Sequence, residues 1–119
     1  MANSSLAVRQ LYEPERSLAF GGISGAYAVV GTPTAHAAHE VLWQNQTDAP
    51  ITFSWDGTTA AFTLDAHTSF VSDVQSNRSD IGRVNLLAAG TQFWVKQVSA
   101  PTLGSVYISV FYGANFNNL

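Results

Sequence analysis

From Ser105 to Tyr112 the chain reads SVYISVFY, with Val106, Ile108, Val110 and Tyr112 alternating against Ser105, Tyr107, Ser109 and Phe111. A period of two places one set of side chains on each face of an extended strand, so this run fits a sheet with one face on a core and the other half exposed. The same period recurs upstream. HEVLWQN (39–45) sets Val41 and Trp43 against Glu40, Leu42 and Gln44; ITFSW (51–55) sets Ile51, Phe53 and Trp55 against Thr52 and Ser54; QFWVKQV (92–98) sets Phe93 and Val95 against Gln92, Trp94 and Lys96. No segment keeps a 3.6-residue period over about twelve residues, which argues against a sizeable helix.

Turn signals separate these runs. GGISG (21–25) follows SLAF, Gly31 and Pro33 close AYAVV (26–30), and TDAP (47–50) precedes ITFSW. Asp56-Gly57 lies between ITFSW and TTAAFTL, a pairing that predicts a two-residue type I′ hairpin, because both central residues of that turn need positive φ. Asp65-Ala66-His67 separates TAAFTL from TSFVSDV (68–74), and Asp73 sits near the end of that strand, before the polar loop QSNRSDIG (75–82). VNLLAA (84–89), Gly90-Thr91 and the loop SAPTLG (99–104) complete the pattern. About eight strands with turns between them predict an all-β protein: an antiparallel β-sandwich, of which the jelly roll is one form. The expected organisation is an N-terminal arm over 1–16, a sandwich domain over 17–112 and a short tail over 113–119. The arm shows no alternation and concentrates charge in Arg9, Glu13, Glu15 and Arg16.

Charge narrows the function. Only 11% of residues are charged, against about 25% in ordinary globular proteins, and the net charge is −3. Phosphate binding needs a field of Lys and Arg, so nucleic acid is not expected as the main partner. A surface so poor in charge is either covered by neighbouring subunits or solvated by Ser, Thr, Asn and Gln. The chain has no cysteine, which removes disulfides, zinc-thiolate sites and a cysteine nucleophile. The N-terminal MANSSLAVRQLYEPER lacks the basic start and apolar run of a secretory signal, and the apolar runs elsewhere fall far short of a membrane span; a soluble chain without a leader is expected.

Catalytic constellations do not assemble from the sequence. Asp56 and Asp65 bracket one strand nine positions apart, roughly 25–30 Å when extended, whereas paired glycosidase carboxyls need about 5–10 Å; both read as turn residues. His36 and His39 in HAAH precede a strand instead of sharing a helix face, and with His67 they read as exposed or hydrogen-bonded loop residues rather than metal ligands. The chain is rich in Ser, so a Ser-His-Asp set stays open, but there is no G-x-S-x-G elbow. GGISG has no lysine and opens no helix, so it is not a phosphate loop. Asn45-Gln46-Thr47 and Asn77-Arg78-Ser79 match the glycosylation acceptor pattern, yet without a secretion signal they read as turn and strand-end residues. Trp43, Trp55 and Trp94, with Tyr107 and Phe111, are either core and interface anchors or an exposed platform for a sugar.

The ordered set of short segments SLAFGGISGAYAVVGTP, VLWQNQTDAPITFSWDG, TSFVSDVQSN, AAGTQFWVKQ and GSVYISVFYG resembles a family of small β-sandwich virion structural proteins of tailed bacteriophages. The resemblance lies in Gln44–Asp48, Ser54–Gly57, Asp73–Asn77, Gly90-Thr91 and Gly104–Gly113, most of them turn signals. The chain departs from it in TTAAF after the Asp-Gly turn, where an acidic or histidine-containing stretch is common, and in Arg78, where lysine is common. The resemblance implies a non-enzymatic, cofactor-free protein made in the host cytoplasm and carried in the virion. It would assemble symmetrically with copies of itself at the neck or collar, or as a capsid decoration, against a portal or adaptor, tail or major capsid protein. Arg9, Tyr12, Glu13, Glu15, Arg16 and Phe116 are the residues expected to reach a neighbour. The rival expectation is a lectin-like module for host attachment, with Trp43, Trp55, Trp94 and Tyr107 as its platform.

Overall fold

A computed structural model describes residues 8–73 and 87–115. Nine strands are present among them: β1 Val8–Tyr12, β2 Arg16–Ala19, β3 Ala28–Val29, β4 Ala38–Asn45, β5 Ile51–Ser54, β6 Phe62–Leu64, β7 Thr68–Asp73, β8 Trp94–Gln97 and β9 Ser105–Asn115. A short 3-10 turn at Phe20–Gly22 is the one helical element among the described residues. Phe116, the Asn77-Arg78-Ser79 triplet, most of VNLLAA and the side chain of Arg9 lie outside the description.

The pairing follows a simple rule. β2 pairs with β9, β3 with β8, β4 with β7 and β5 with β6, all antiparallel. That is one long ribbon, folded so that β4 also meets β9 and β5 also meets β8. The result is a five-stranded sheet (β1 and β2 beside β9, then β4, then β7) and a four-stranded sheet in the order β3-β8-β5-β6. This strand order is a jelly roll, two antiparallel sheets packed face to face.

The alternations read from the sequence set the core. Val41 and Trp43 of β4, Phe53 of β5, Phe93 and Val95 beside and on β8, and Val106, Ile108 and Val110 of β9 all point between the sheets and are buried. At ~25 cal/mol per Å2 of apolar surface, each such large side chain contributes about 1.5–3 kcal/mol. Along β5 the alternation fails, because Thr52 and Ser54 are buried as well. Thr52 shares a 2.9 Å hydrogen bond with Thr63 on β6, and Ser54 is covered by the loop that follows it.

That loop corrects the hairpin expectation. β5 ends at Ser54 and β6 begins at Phe62, so Asp56-Gly57 opens a long connection rather than forming a two-residue turn. Gly57 alone takes positive φ, at 77°. It lies flat against the Trp94 indole, where a Cβ would come within 2.9 Å of the ring. Asp56 instead caps the loop, accepting from the backbone N–H groups of Thr58 and Thr59 at 2.8 and 2.7 Å. The Asp65–His67 turn carries the chain from one sheet to the other, with His67 at φ 59°.

Two other expectations change at the termini of the fold. Residues 8–12, read as part of an irregular arm, form β1, which pairs with β9 from Val8↔Asn115 to Tyr12↔Phe111. Residues 113–115, read as tail, are the end of β9. β1 and β2 lie end to end along the same edge of β9. On the other edge, β4 stops at Ala38↔Tyr112. Past Tyr112, therefore, β1 and β9 continue as a two-stranded ribbon among the described residues.

Candidate functional site

Two polar knots fasten opposite ends of the sandwich. The first lies where β1 passes into β2. Glu13 and Arg16 are buried and paired at 2.7 Å. The second Glu13 oxygen accepts from the backbone N–H of Ala35 and of His36 at 3.0 and 2.9 Å, and lies 2.8 Å from His36 Nδ1. Burial works to raise the Glu13 pKa, but hydrogen bonds from Arg16 and His36 and the Arg16 charge outweigh it, and the pKa is lowered. The carboxylate is therefore ionised, and His36 must carry its proton on Nδ1 to donate. The ring of His36 stacks on Tyr112 at 3.7 Å between centroids. Arg16 also donates to the carbonyls of Thr32, Pro14 and Pro33. Gly31, at φ 68°, lets the backbone lie against the Arg16 stem, where a Cβ would come within 2.6 Å.

Within the chain Glu13 and Arg16 pair with each other and are buried, so these two side chains are not offered at the described surface. With both oxygens of Glu13 held by donors, the group suits fastening rather than proton transfer. The Glu13–His36 link joins residues 23 positions apart, so no local motif announced it.

The second knot is neutral. Asn45 is fully buried at the end of β4. Its Nδ2 donates to the carbonyls of Ala49, Leu64 and Asp65 at 2.9, 3.0 and 3.1 Å, and its Oδ1 accepts from Thr47 N at 2.9 Å and Thr47 Oγ1 at 2.6 Å. The acceptor-pattern asparagine is thus a structural tie, inaccessible to a glycan. Beside it Asp48 accepts from the Thr102 hydroxyl and, at 2.8 Å, from the Thr102 N–H, which lower its pKa. Asp56, at the opposite end, is held well below the usual carboxylate range by the N–H groups of Thr59 and Thr58 and the Ser54 hydroxyl. Asp56 lies in the loop before β6 and Asp65 follows the last residue of β6; with residues 55–61 outside any strand, the nine positions are not the fully extended stretch that the spacing assumed.

The aromatic platform does not form. Trp43 is 1% exposed, with the rings of Phe53, Trp55, Phe62 and Phe93 edge-on around it at 5.1–5.6 Å. Among the described residues its Nε1 has no oxygen or nitrogen partner; aromatic faces are the acceptors such a site offers. Trp55 is exposed at the end of β5, and its ring meets the edge of Trp43. Trp94 points to the outer side of the four-stranded sheet, under Gly57. Tyr107 points to the outer side of the five-stranded sheet, opposite Val106 and Ile108. Trp43 lies in the core, and Trp94 and Tyr107 lie on the outer sides of different sheets, so the four do not share one face.

The outer face of the five-stranded sheet gathers a different set. Tyr12 pairs in register with Phe111, and Leu42 with Val71. By alternation these four and Tyr107 all point away from the core. Tyr12 is 76% exposed and Val71 52%; the other three are partly covered. Glu40 shares the face, and exposed Glu15 accepts from the Ser109 hydroxyl at 3.4 Å. Of the residues expected to reach a neighbour, Tyr12 and Glu15 keep an accessible side chain at this face. Among the described residues no three His, Asp or Glu side chains gather as a metal site, and no helix is long and apolar enough to cross a membrane.

Comparison with protein-family models, with curated proteins and with solved structures finds no match to this chain.

Proposed function

We propose that this chain is a non-enzymatic structural subunit of a tailed-bacteriophage virion, assembling symmetrically with copies of itself at the neck or collar or on the capsid surface. The observation that carries the reading is the apolar outer face of the five-stranded sheet, where Tyr12, Leu42, Val71, Tyr107 and Phe111 lie together. These apolar side chains share the face with Glu40, Gln44 and Ser109; apolar groups exposed on one sheet face favour an interaction site, and a symmetric assembly buries such a face most simply against a copy. The ordered turn motifs resemble the phage family, and the jelly roll is a form used by viral capsid proteins and also by lectins; that support is an analogy of fold. Against the lectin reading stands the scatter of its four aromatics over the core and both outer surfaces.

Native mass spectrometry of the purified chain, with proteomics of gradient-purified particles from its host, tests this. A discrete closed oligomer and the chain's presence in the particles are expected. A strict monomer absent from the particles would contradict the proposal.

A further inference from the structure

We propose that β1 is exchanged between copies, so that residues 8–12 of one chain pair with residues 111–115 of another in the assembled protein. The inference rests on the reading of the chain as a self-assembling subunit and names the contact that would join the copies.

The argument begins with support. β1 pairs with β9 alone. β4 leaves β9 at Tyr112, so among the described residues Val8 to Gln10 pair only with the projecting end of β9, residues 113–115. A two-stranded ribbon by itself is marginal in water. Its ladder is nevertheless a complete, self-complementary recognition surface, and every copy carries both halves of it. Exchange between copies therefore keeps each β1–β9 hydrogen bond and loses none, which is why such swapping is a low-cost route to oligomers.

Next comes the pivot. Immediately after β1, Glu13 is tied to Arg16, Ala35 and His36, and its own N–H donates to Val110 O at 3.0 Å. The body thus holds the chain firmly from residue 13 onward. Pro14 stiffens the connection. The break between β1 and β2 falls at this anchored point, so residues upstream can change partner without disturbing the jelly roll. Extended, residues 8–12 span about 17 Å, which places an exchanged partner's ribbon alongside, next to the Tyr12 and Phe111 end of the apolar face.

The chain has no cysteine, so an engineered pair gives no background. Gln10 and Gly113 face each other in the ladder and are both exposed. Opposed strand positions lie within the Cα separation a disulfide needs. Gln10→Cys and Gly113→Cys are made in separate chains, co-assembled after mild denaturation, and oxidised. Exchange predicts that the mixed disulfide dimer dominates over both homodimers, with the link mapped between the two engineered positions. A chain carrying both substitutions, oxidised while dilute, checks the register by forming an internal link. If native mass spectrometry shows the oligomer but the mixture gives no excess of mixed dimer, exchange is overturned and the subunit reading stands. If the unmodified chain is only ever monomeric, both fall together.

Discussion

The two ends of this jelly roll are fastened by opposite chemistry. At the β1–β2 end a buried carboxylate meets a guanidinium, two amides and an imidazole. At the other end a single neutral amide, Asn45, gathers three carbonyls and a threonine. Each knot ties a loop to the end of a strand. The neutral one is built from residues close in sequence plus one neighbouring turn, and it satisfies its donors without stranding a charge. The charged one joins segments 13–16 and 31–36, and its energy depends on all partners being present, because an unpaired buried ion is costly. The difference teaches where the fold is conditional. The charged knot answers to pH and to the integrity of a pair, while the Asn45 knot itself holds no titrating group and answers to geometry.

Breaking the charged knot should have the largest effect. Glu13→Ala leaves Arg16 buried without its counterion and is expected to cost about 3–5 kcal/mol, read by urea denaturation. Asn45→Ala removes the donor shared by the carbonyls of Ala49, Leu64 and Asp65 and the acceptor of the Thr47 N–H; about 2–3 kcal/mol is expected by the same measurement.

Acidification sharpens the contrast. The folded-state pKa of Glu13 lies below its ordinary value of 4.5, so the unfolded chain binds more protons at this site. Its contribution is whole above that value and is lost as pH falls through the folded pKa. Asp48 and Asp56 are lowered too and act in the same window, so the wild-type curve reflects all three. Relative to it, Glu13→Gln should show a shallower loss of stability below pH 4.5, while Asn45→Ala should run lower but parallel. Parallel curves for both variants would remove the distinction between the ends. Smallest of these, Gly57→Ala should cost about 1–2 kcal/mol from left-handed strain, with some further loss as Trp94 is displaced.

Local patterns carried much of the architecture. Period-two alternation in β4, β8 and β9 put Val41 with Trp43, Phe93 with Val95, and Val106 with Ile108 and Val110 on common faces, and these are the faces that turn into the core. What the sequence hid was set by distance or by covering. Asp56-Gly57 carries the residues of a tight hairpin, but Asp56 found its partners in Thr58 and Thr59, and the loop grew to shelter Ser54. Thr52 and Ser54 alternate against Ile51 and Phe53, and the pattern could not show that both faces are buried, because a strand pattern does not reveal what a later loop lays over it. The Glu13 knot needed a partner 23 residues away, which no motif encodes. Tyr12 was expected to reach a neighbour; its place opposite Phe111 on the outer face follows only from the β1–β9 register.

Whether that face is covered by copies of the same chain is decided most directly by Val71→Glu. The side chain is exposed and outward, so the monomer's thermal stability should not change, but a charge there should split the native oligomer into folded monomers on native mass spectrometry. An oligomer that survives Val71→Glu unaltered would contradict the account.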